Sequence, residues 1–184
     1  MEIRDEFANV IKRFDELNIQ YMLTGSVASS FWGSPRTSHD FDFIIVLSQK
    51  DTRRIYSAFQ SDYYVSSIED AIKHNQMFNI IPNNSSMKID CWILKRDEFN
   101  LSAFQRKRKV TLYGIDAFVI SPEDSIISKL LWYVEYPNEI QLRDIGGIIE
   151  TQQHSIDFIY ISQWCERLSL NELWNSIKTK HKFQ

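Results

Sequence analysis

The sequence predicts an α/β (α+β) fold, in which a small mixed β-sheet flanked by helices precedes a C-terminal helical region. Short apolar runs bounded by turn residues occur up to about residue 120 and are typical of strands. Ser121-Pro122 then forms a strong helix start, and apolar residues recur at helical spacing beyond it. We therefore predict two domains, a sheet-containing domain over residues 1–120 and a helical region over residues 121–184.

The overall composition is that of a folded protein without a strong global charge. Hydrophobic residues make up 43% of the 184 residues and the formal net charge is −3, which argues against disorder and against a general attraction to nucleic acid or anionic membranes. The two cysteines, Cys91 and Cys165, lack the spacing of a redox or zinc motif. The first residues are charged, and no apolar run approaches the length of a membrane span. We therefore expect a reduced, cytoplasmic protein that has no membrane partner.

A glycine-serine turn lies between the first predicted strand and a predicted helix. The strand is expected over Gln20 to Thr24, Gly25-Ser26 turns out of it, and the helix follows over Val27 to Trp32. A glycine lets a ligand approach the backbone, and N–H groups at a helix N-terminus suit phosphate. The turn therefore predicts a phosphate site to which the Ser26 hydroxyl contributes. The alternative is that Ser26 is only a helix N-cap.

Two aspartates open the next predicted strand. Asp40-Phe41-Asp42 precedes an apolar run from Phe43 to Leu47, and side chains alternate along a strand, so Asp40 and Asp42 project to the same side. Two carboxylates there form an oxygen-rich site of the kind that Mg²⁺ prefers. The alternative is that the two aspartates are a solvated strand start.

Asp90 is a carboxylate in the middle of a further predicted strand, Met87 to Leu94. A charged residue between apolar neighbours needs a partner. A metal ion is one explanation, and a salt bridge to Lys88 or Arg96 is the other.

The C-terminal helices carry another carboxylate in an apolar pattern. Asp144 recurs with Ile140 and Ile148 at steps of four, and an unpaired carboxylate on such a face would be costly. Lys129 flanks the apolar stripe of the preceding helix, and the short break between the two helices favours antiparallel packing. The sequence leaves open whether Lys129 and Asp144 form a buried salt bridge, take part in chemistry, or do both.

The Gly25-Ser26 turn, followed along the chain by Asp40, Asp42 and Asp90, resembles the motif of the nucleotidyltransferase superfamily, which has the DNA polymerase β-like fold. In that family a Gly-Ser or Gly-Gly turn precedes an Asp-x-Asp pair on a neighbouring strand, and a third carboxylate comes from a later strand. Pro35-Arg36-Thr37 also resembles the subgroup that contains the AbiEii-type toxins, in which a lysine and an aspartate from the C-terminal helices close the nucleotide site. The resemblance implies three catalytic and metal-binding residues, Asp40, Asp42 and Asp90, and five nucleotide-binding residues, Gly25, Ser26, Arg36, Lys129 and Asp144.

The same resemblance implies an enzyme that uses two Mg²⁺ ions. It would move a nucleoside monophosphate group from a nucleoside triphosphate (NTP) to an acceptor hydroxyl on RNA, on a protein or on a small molecule such as an aminoglycoside. The toxin subgroup further implies an antitoxin protein as a partner. Two alternatives stay open, a degenerate member that binds a nucleotide or a partner protein without turnover, and a metal-dependent nuclease. A basic run, Arg106 to Lys109, either protects a sheet edge or binds a nucleic-acid acceptor.

Overall fold

The structure is a computed structural model that describes residues 3–181. Within this range the chain forms seven strands and nine α-helices, which confirms the predicted α/β class. The strands are, in chain order, β1 (Gln20–Thr24), β2 (Asp40–Val46), β3 (Tyr63–Val65), β4 (Met77–Pro82), β5 (Lys88–Ile93), β6 (Arg108–Leu112) and β7 (Ile115–Val119). The helices are α1 (Ile3–Glu16), α2 (Gly25–Trp32), α3 (Thr52–Phe59), α4 (Ile68–His74), α5 (Glu98–Gln105), α6 (Pro122–Glu135), α7 (Glu139–Gln152), α8 (Phe158–Arg167) and α9 (Asn171–His181). None of these helices combines the length and the apolar character needed to cross a membrane.

The seven strands form one mixed sheet in the order β3-β4-β5-β2-β1-β7-β6. The pairs β2–β5 and β1–β7 are parallel, and the other neighbours are antiparallel. β2 therefore lies at the centre of the sheet, with β1 on one side and β5 on the other. Because residues in register on neighbouring strands share a face, side chains of β2 and β5 meet side by side.

One face of the sheet is closed by the aromatic stripe of α1. Phe7 and Phe14 are fully buried, and their rings lie 5.2 Å from the ring of Phe41 and 5.4 Å from that of Phe43, respectively. The two phenylalanines of β2 alternate with the two aspartates of that strand. The strand therefore directs its aromatic rings into the core and its carboxylates to the opposite face.

The chain divides into two compact units. The first comprises the described residues up to Val27 together with Thr37–Val119, and it contains the whole sheet. The second comprises Ala28–Arg36 together with the described residues from Ile120 onward, and it contains α6 to α9. The sequence predicts a boundary near residue 120 but does not predict that Ala28–Arg36 belongs to the same unit as the later helices. This segment carries the C-terminal part of α2.

Ala28–Arg36 is joined to the rest of the second unit by hydrogen bonds and by a close backbone contact. The Trp32 indole donates from Nε1 to the Ile120 carbonyl at 2.7 Å, and the Gln152 amide donates to the Trp32 carbonyl at 3.0 Å. A Cβ at Gly33 would lie 2.6 Å from the backbone nitrogen of Ile148. Glycine is therefore the residue that lets this segment approach α7 so closely.

Candidate active site

A row of polar residues crosses three strands of the first unit. Strand pairing places Asp42 on β2 opposite Asp90 on β5, and Asp90 opposite Asn79 on β4. Asp40, two residues before Asp42, is opposite Lys88. The three carboxylates that the sequence predicts as catalytic therefore lie as neighbours on one face of the sheet.

The predicted phosphate turn adjoins this row. Gly25 follows β1 directly, is the first residue of α2 and has a positive φ of 65°. A Cβ at residue 25 would overlap the Asp42 carboxylate, since it would lie 2.6 Å from the Asp42 Cγ. Ser26 follows in the first turn of α2, whose N–H groups are directed out of the helix end. The structure therefore brings Gly25 and the Asp42 carboxylate together within one unit.

Asp90 is bound by two neighbouring side chains. Lys88 Nζ lies 2.9 Å from Oδ1 and 3.0 Å from Oδ2 of Asp90, and Asn79 donates from Nδ2 to Oδ1 at 2.7 Å. Of the two explanations that the sequence leaves open, the salt bridge to Lys88 is present, and the metal ion stays a prediction. Sequence reasoning misses Asn79, because its position beside Asp90 depends on the register between β4 and β5.

The fit of these residues to a metal ion depends on their donor atoms and on Lys88. Among residues 3–181, no three histidine, cysteine, aspartate or glutamate side chains are arranged to hold a metal ion. The carboxylates of Asp40 and Asp42 are the hard oxygen donors that Mg²⁺ prefers, and Gly25 lets the Asp42 carboxylate lie directly against the backbone that begins α2. Both oxygens of Asp90 already contact Lys88, so a metal ion at Asp90 would compete with the ammonium group. The chemistry of Asp40 and Asp42 therefore fits Mg²⁺, while Asp90 is already engaged by an ammonium group.

Cys91 follows Asp90 on β5 and is fully buried. Burial raises the pKa of its thiol well above the usual value, and the negative charges of Asp90 and Asp42 add to this shift. The thiol therefore stays protonated at neutral pH, which makes it a poor nucleophile and a poor metal ligand.

The remaining three predicted nucleotide-binding residues meet in the second unit, around the Asp144 carboxylate. Lys129 on α6 donates to Asp144 Oδ2 at 2.7 Å, and Arg36 donates to Oδ1 from Nε at 3.1 Å and to Oδ2 from Nη2 at 3.3 Å. The Asp144 side chain is only 5% exposed. Gln141 accepts a further hydrogen bond from Lys129 at 3.2 Å. The Lys129–Asp144 salt bridge that the sequence offers as one alternative is therefore present, and Arg36 adds a second cation.

The helix face that carries Asp144 is less apolar than the sequence suggests. Ile148 is fully buried, but Ile140 is 42% exposed, and burial of α7 begins at Asp144 itself. The expectation of an apolar stripe from Ile140 to Ile148 is therefore wrong in its first turn, because no residue of α7 before Asp144 is fully buried. Sequence reasoning also misses the contact of Arg36 with Asp144, since the two residues are 108 positions apart and no local periodicity connects them.

The basic run Arg106 to Lys109 enters β6, the last strand of the sheet. Lys109 is paired with Asp116 at 3.1 Å, and Lys107 Nζ lies 3.9 Å from the centre of the Phe104 ring. Cations on an edge strand discourage pairing with the sheet of another molecule. This placement favours edge protection over a nucleic-acid site.

No protein-family model and no curated protein sequence matches the chain. Solved structures do match it. An antigenic nucleotidyltransferase-like protein from Paracoccidioides brasiliensis is 16% identical with a TM-score of 0.56, over 95% of this chain and 92% of that one. The lincosamide antibiotic adenylyltransferase LnuA, solved with lincomycin bound, is 12% identical with a TM-score of 0.54, over 78% of this chain and 94% of that one. ANT(2″)-Ia, in complex with adenylyl-2″-tobramycin, is 13% identical with a TM-score of 0.59, over 94% of this chain and 97% of that one.

Similarity at these identities concerns the fold. It extends over 95% and 94% of this chain in two of these comparisons. The narrower resemblance to the AbiEii-type toxins stays a prediction. The chain therefore shares its fold with these nucleotidyltransferases and nucleotidyltransferase-like proteins.

Proposed function

We propose that this protein is a Mg²⁺-dependent nucleotidyltransferase, which moves a nucleoside monophosphate group from an NTP to an acceptor hydroxyl. The observation that carries the proposal is the contact of Gly25 with the Asp42 carboxylate, within the polar row of the sheet. This contact sets a helix N-terminus, which suits phosphate, against carboxylates, which suit a metal ion. Nucleotidyl transfer needs both kinds of group beside each other.

In this proposal Asp40 and Asp42 would hold Mg²⁺, and Asp90 would be a further ligand once it no longer contacts Lys88. Bound Mg²⁺ would offset the negative charge of the phosphates and would lower the pKa of the acceptor hydroxyl. Ser26 donates its hydroxyl, and the first turn of α2 its N–H groups, to the outgoing phosphates.

We also propose that Arg36 and Lys129 bind phosphate, with Asp144 orienting both. A guanidinium and an ammonium group meet at the Asp144 carboxylate, and both kinds of cation bind phosphate in proteins. The Arg36 side chain is 32% exposed and is the more accessible of the two cations. We expect Lys129→Met to weaken the binding of an NTP more than that of the corresponding monophosphate, which lacks the β and γ charges. Equal weakening for both nucleotides, measured by titration, would leave the cluster with a structural role.

The acceptor that we propose is a hydroxyl on a small molecule. Two of the structures with this fold favour this class, since one is an antibiotic adenylyltransferase bound to lincomycin and the other holds adenylyl-2″-tobramycin. The placement of Arg106 to Lys109 on an edge strand gives RNA less support. RNA and protein acceptors, and a toxin role with an antitoxin partner, stay predictions of the sequence resemblance.

The experiment that tests the proposal is incubation with each of the four NTPs labelled at the α-phosphate. Each reaction contains Mg²⁺ and one acceptor pool, which is a set of aminoglycosides, a set of lincosamides, total RNA or a cell extract. We expect label to appear in one pool with wild-type protein and to disappear with Asp40→Asn. Cleavage of RNA without label transfer would identify a nuclease instead. Nucleotide binding without transfer to any pool would identify the degenerate alternative.

A further inference from the structure

Lys88 is a cation inside the row of predicted metal ligands. It lies two residues before Asp90 on β5, so both side chains leave the same face of the strand, and its register partner on β2 is Asp40. Lys88 Nζ reaches both oxygens of the Asp90 carboxylate, at 2.9 and 3.0 Å. The transfer reaction proposed above assigns no role to this ammonium group.

The charges of this group set a limit on metal binding. Asp40, Asp42, Asp90 and Lys88 together carry two net negative charges, which one divalent cation neutralises. A cation that uses Asp90 has to bind oxygens that the ammonium already contacts, and two positive charges on one carboxylate repel each other at close range. The Lys88 side chain is 38% exposed and that of Asp90 is 13% exposed. Lys88 is thus the partner that can leave toward solvent, because a long lysine side chain keeps its head group hydrated in many positions.

We propose that Lys88 is a built-in competitor for metal at Asp90, an inference that rests on the metal site of the proposed function. In the metal-free protein the ammonium neutralises Asp90 and holds it in place. A first cation binds Asp40 and Asp42 without displacing Lys88. A second cation reaches Asp90 only when Lys88 departs, so Lys88 is a positioning residue that sets the affinity and the order of metal binding.

The test is a titration of the protein with Mn²⁺, a paramagnetic substitute for Mg²⁺, in which the signal of free Mn²⁺ gives the number and affinity of bound ions. The titration is carried out on the four proteins of a double-mutant cycle. These are the wild type, Lys88→Met, Asp90→Asn and the double variant. We expect Lys88→Met to tighten binding of the weaker ion by tenfold or more, on the order of what removal of an adjacent charge gives. In the Asp90→Asn background the same change should give less than about a twofold effect, since the contested carboxylate is absent.

Two further variants control for charge and folding. Lys50→Met removes a positive charge from an exposed position just before α3, and we expect Mn²⁺ binding to equal that of the wild type. Lys88→Arg keeps the positive charge and should keep the weak second affinity. Circular dichroism verifies each fold, and Lys88→Gln replaces Lys88→Met in the cycle if the methionine variant does not fold.

Two outcomes overturn the proposal while the metal site stands. Unchanged Mn²⁺ affinity in Lys88→Met would show that the ammonium does not compete. If Lys88→Met raises the Mn²⁺ affinity equally in the wild-type and Asp90→Asn backgrounds, Lys88 acts only through its charge and not through its contact with Asp90. A third outcome overturns the metal site and the inference with it, namely Mn²⁺ binding that is absent in the wild type or unaffected by Asp42→Asn.

Discussion

Asp42 has like-charged neighbours on two sides, because Asp90 is opposite it in register and Asp40 is two residues before it on the same face. We expect Asp42→Asn to lower Mg²⁺-dependent transfer by roughly 10³-fold, since a metal ligand contributes several kcal/mol to the transition state. In the absence of metal we expect an unchanged or higher melting temperature, because repulsion among the carboxylates decreases. A transfer assay and a thermal melt on the same sample measure both effects.

The control for this substitution is Asp70→Asn, which changes an aspartate at an exposed position of α4. It should leave transfer and melting temperature close to those of the wild type. Near-normal transfer in Asp42→Asn would remove Asp42 from the site.

Gly25 combines a backbone requirement with a steric one. Its φ is 65°, and a Cβ there would lie 2.6 Å from the Asp42 Cγ. Gly114, between β6 and β7, has a φ of 78°, but its Cβ would meet no atom nearer than Arg4 Nη2 at 3.8 Å. Both alanine variants should lose about 1 kcal/mol of unfolding free energy from backbone strain, and Gly25→Ala should lose more from overlap with Asp42.

Denaturant unfolding and the transfer assay separate these two effects. We expect Gly25→Ala to abolish transfer through displacement of Asp42, and Gly114→Ala to retain it. If the two variants lose equal stability and both keep their activity, the contact between Gly25 and Asp42 has no functional importance.

The charged contact between α6 and α7 joins Lys129 to Asp144, which also binds the second cation Arg36, so the two sides of the contact differ in how many charged partners they have. Removal of Lys129 leaves Asp144 with the two hydrogen bonds from Arg36, whereas removal of the Asp144 charge leaves Lys129, only 8% exposed, beside a second cation. We therefore expect Asp144→Asn to cost about 3–5 kcal/mol of unfolding free energy and Lys129→Met to cost about 1–3 kcal/mol. Denaturant unfolding of both variants measures the difference. A larger loss in Lys129→Met would mean that Arg36 does not compensate the Asp144 charge.

Two glycines allow the segment after α2 to approach α7. A Cβ at Gly33 would lie 2.6 Å from Ile148 N, which is backbone and cannot rotate away. A Cβ at Gly147 would lie 2.8 Å from Ser34 Oγ, which can rotate, and 3.0 Å from the backbone nitrogen of Ser34, which cannot. We expect Gly33→Ala to lose about 3 kcal/mol of unfolding free energy. Gly147→Ala should lose less than Gly33→Ala, because its backbone contact is longer and because alanine raises helix propensity by about 1 kcal/mol. Denaturant midpoints test the order, and a reversed order would contradict the packing described for Gly33.

At the level of the whole molecule, local patterns account for what the sequence predicts correctly. β1 is found over Gln20–Thr24, as predicted, and Asp40 and Asp42 share a face because alternation along a strand is a local property. The strong cap of α6 at Ser121 is confirmed for the same reason, since its side chain accepts a hydrogen bond from the backbone of Asp124.

Features that depend on distant segments are the ones that the sequence does not predict. The position of Asn79 beside Asp90 follows from strand register, and that of Arg36 beside Asp144 follows from packing across 108 positions. Sequence reasoning can name Lys88 as a rival to a metal ion at Asp90, but only the structure shows both carboxylate oxygens engaged. Pairings of this kind are set by the tertiary structure and leave no periodic signal in the chain.

Ala28–Arg36 belongs to the same unit as the helices after Val119. This grouping predicts how fragments 1–119 and 120–184 fold when the chain is divided after Val119. A fragment of residues 120–184 lacks the Trp32 indole, which donates to the Ile120 carbonyl, and the Arg36 side chain, which pairs with Asp144. We expect this fragment alone to show no cooperative unfolding by circular dichroism. Addition of fragment 1–119, which supplies the missing segment, should restore a cooperative transition, and Gly33→Ala in that fragment should weaken the restoration because its Cβ blocks the approach to α7. Cooperative unfolding of fragment 120–184 alone, at the midpoint of the intact protein, would show that the C-terminal helices form a domain without Ala28–Arg36.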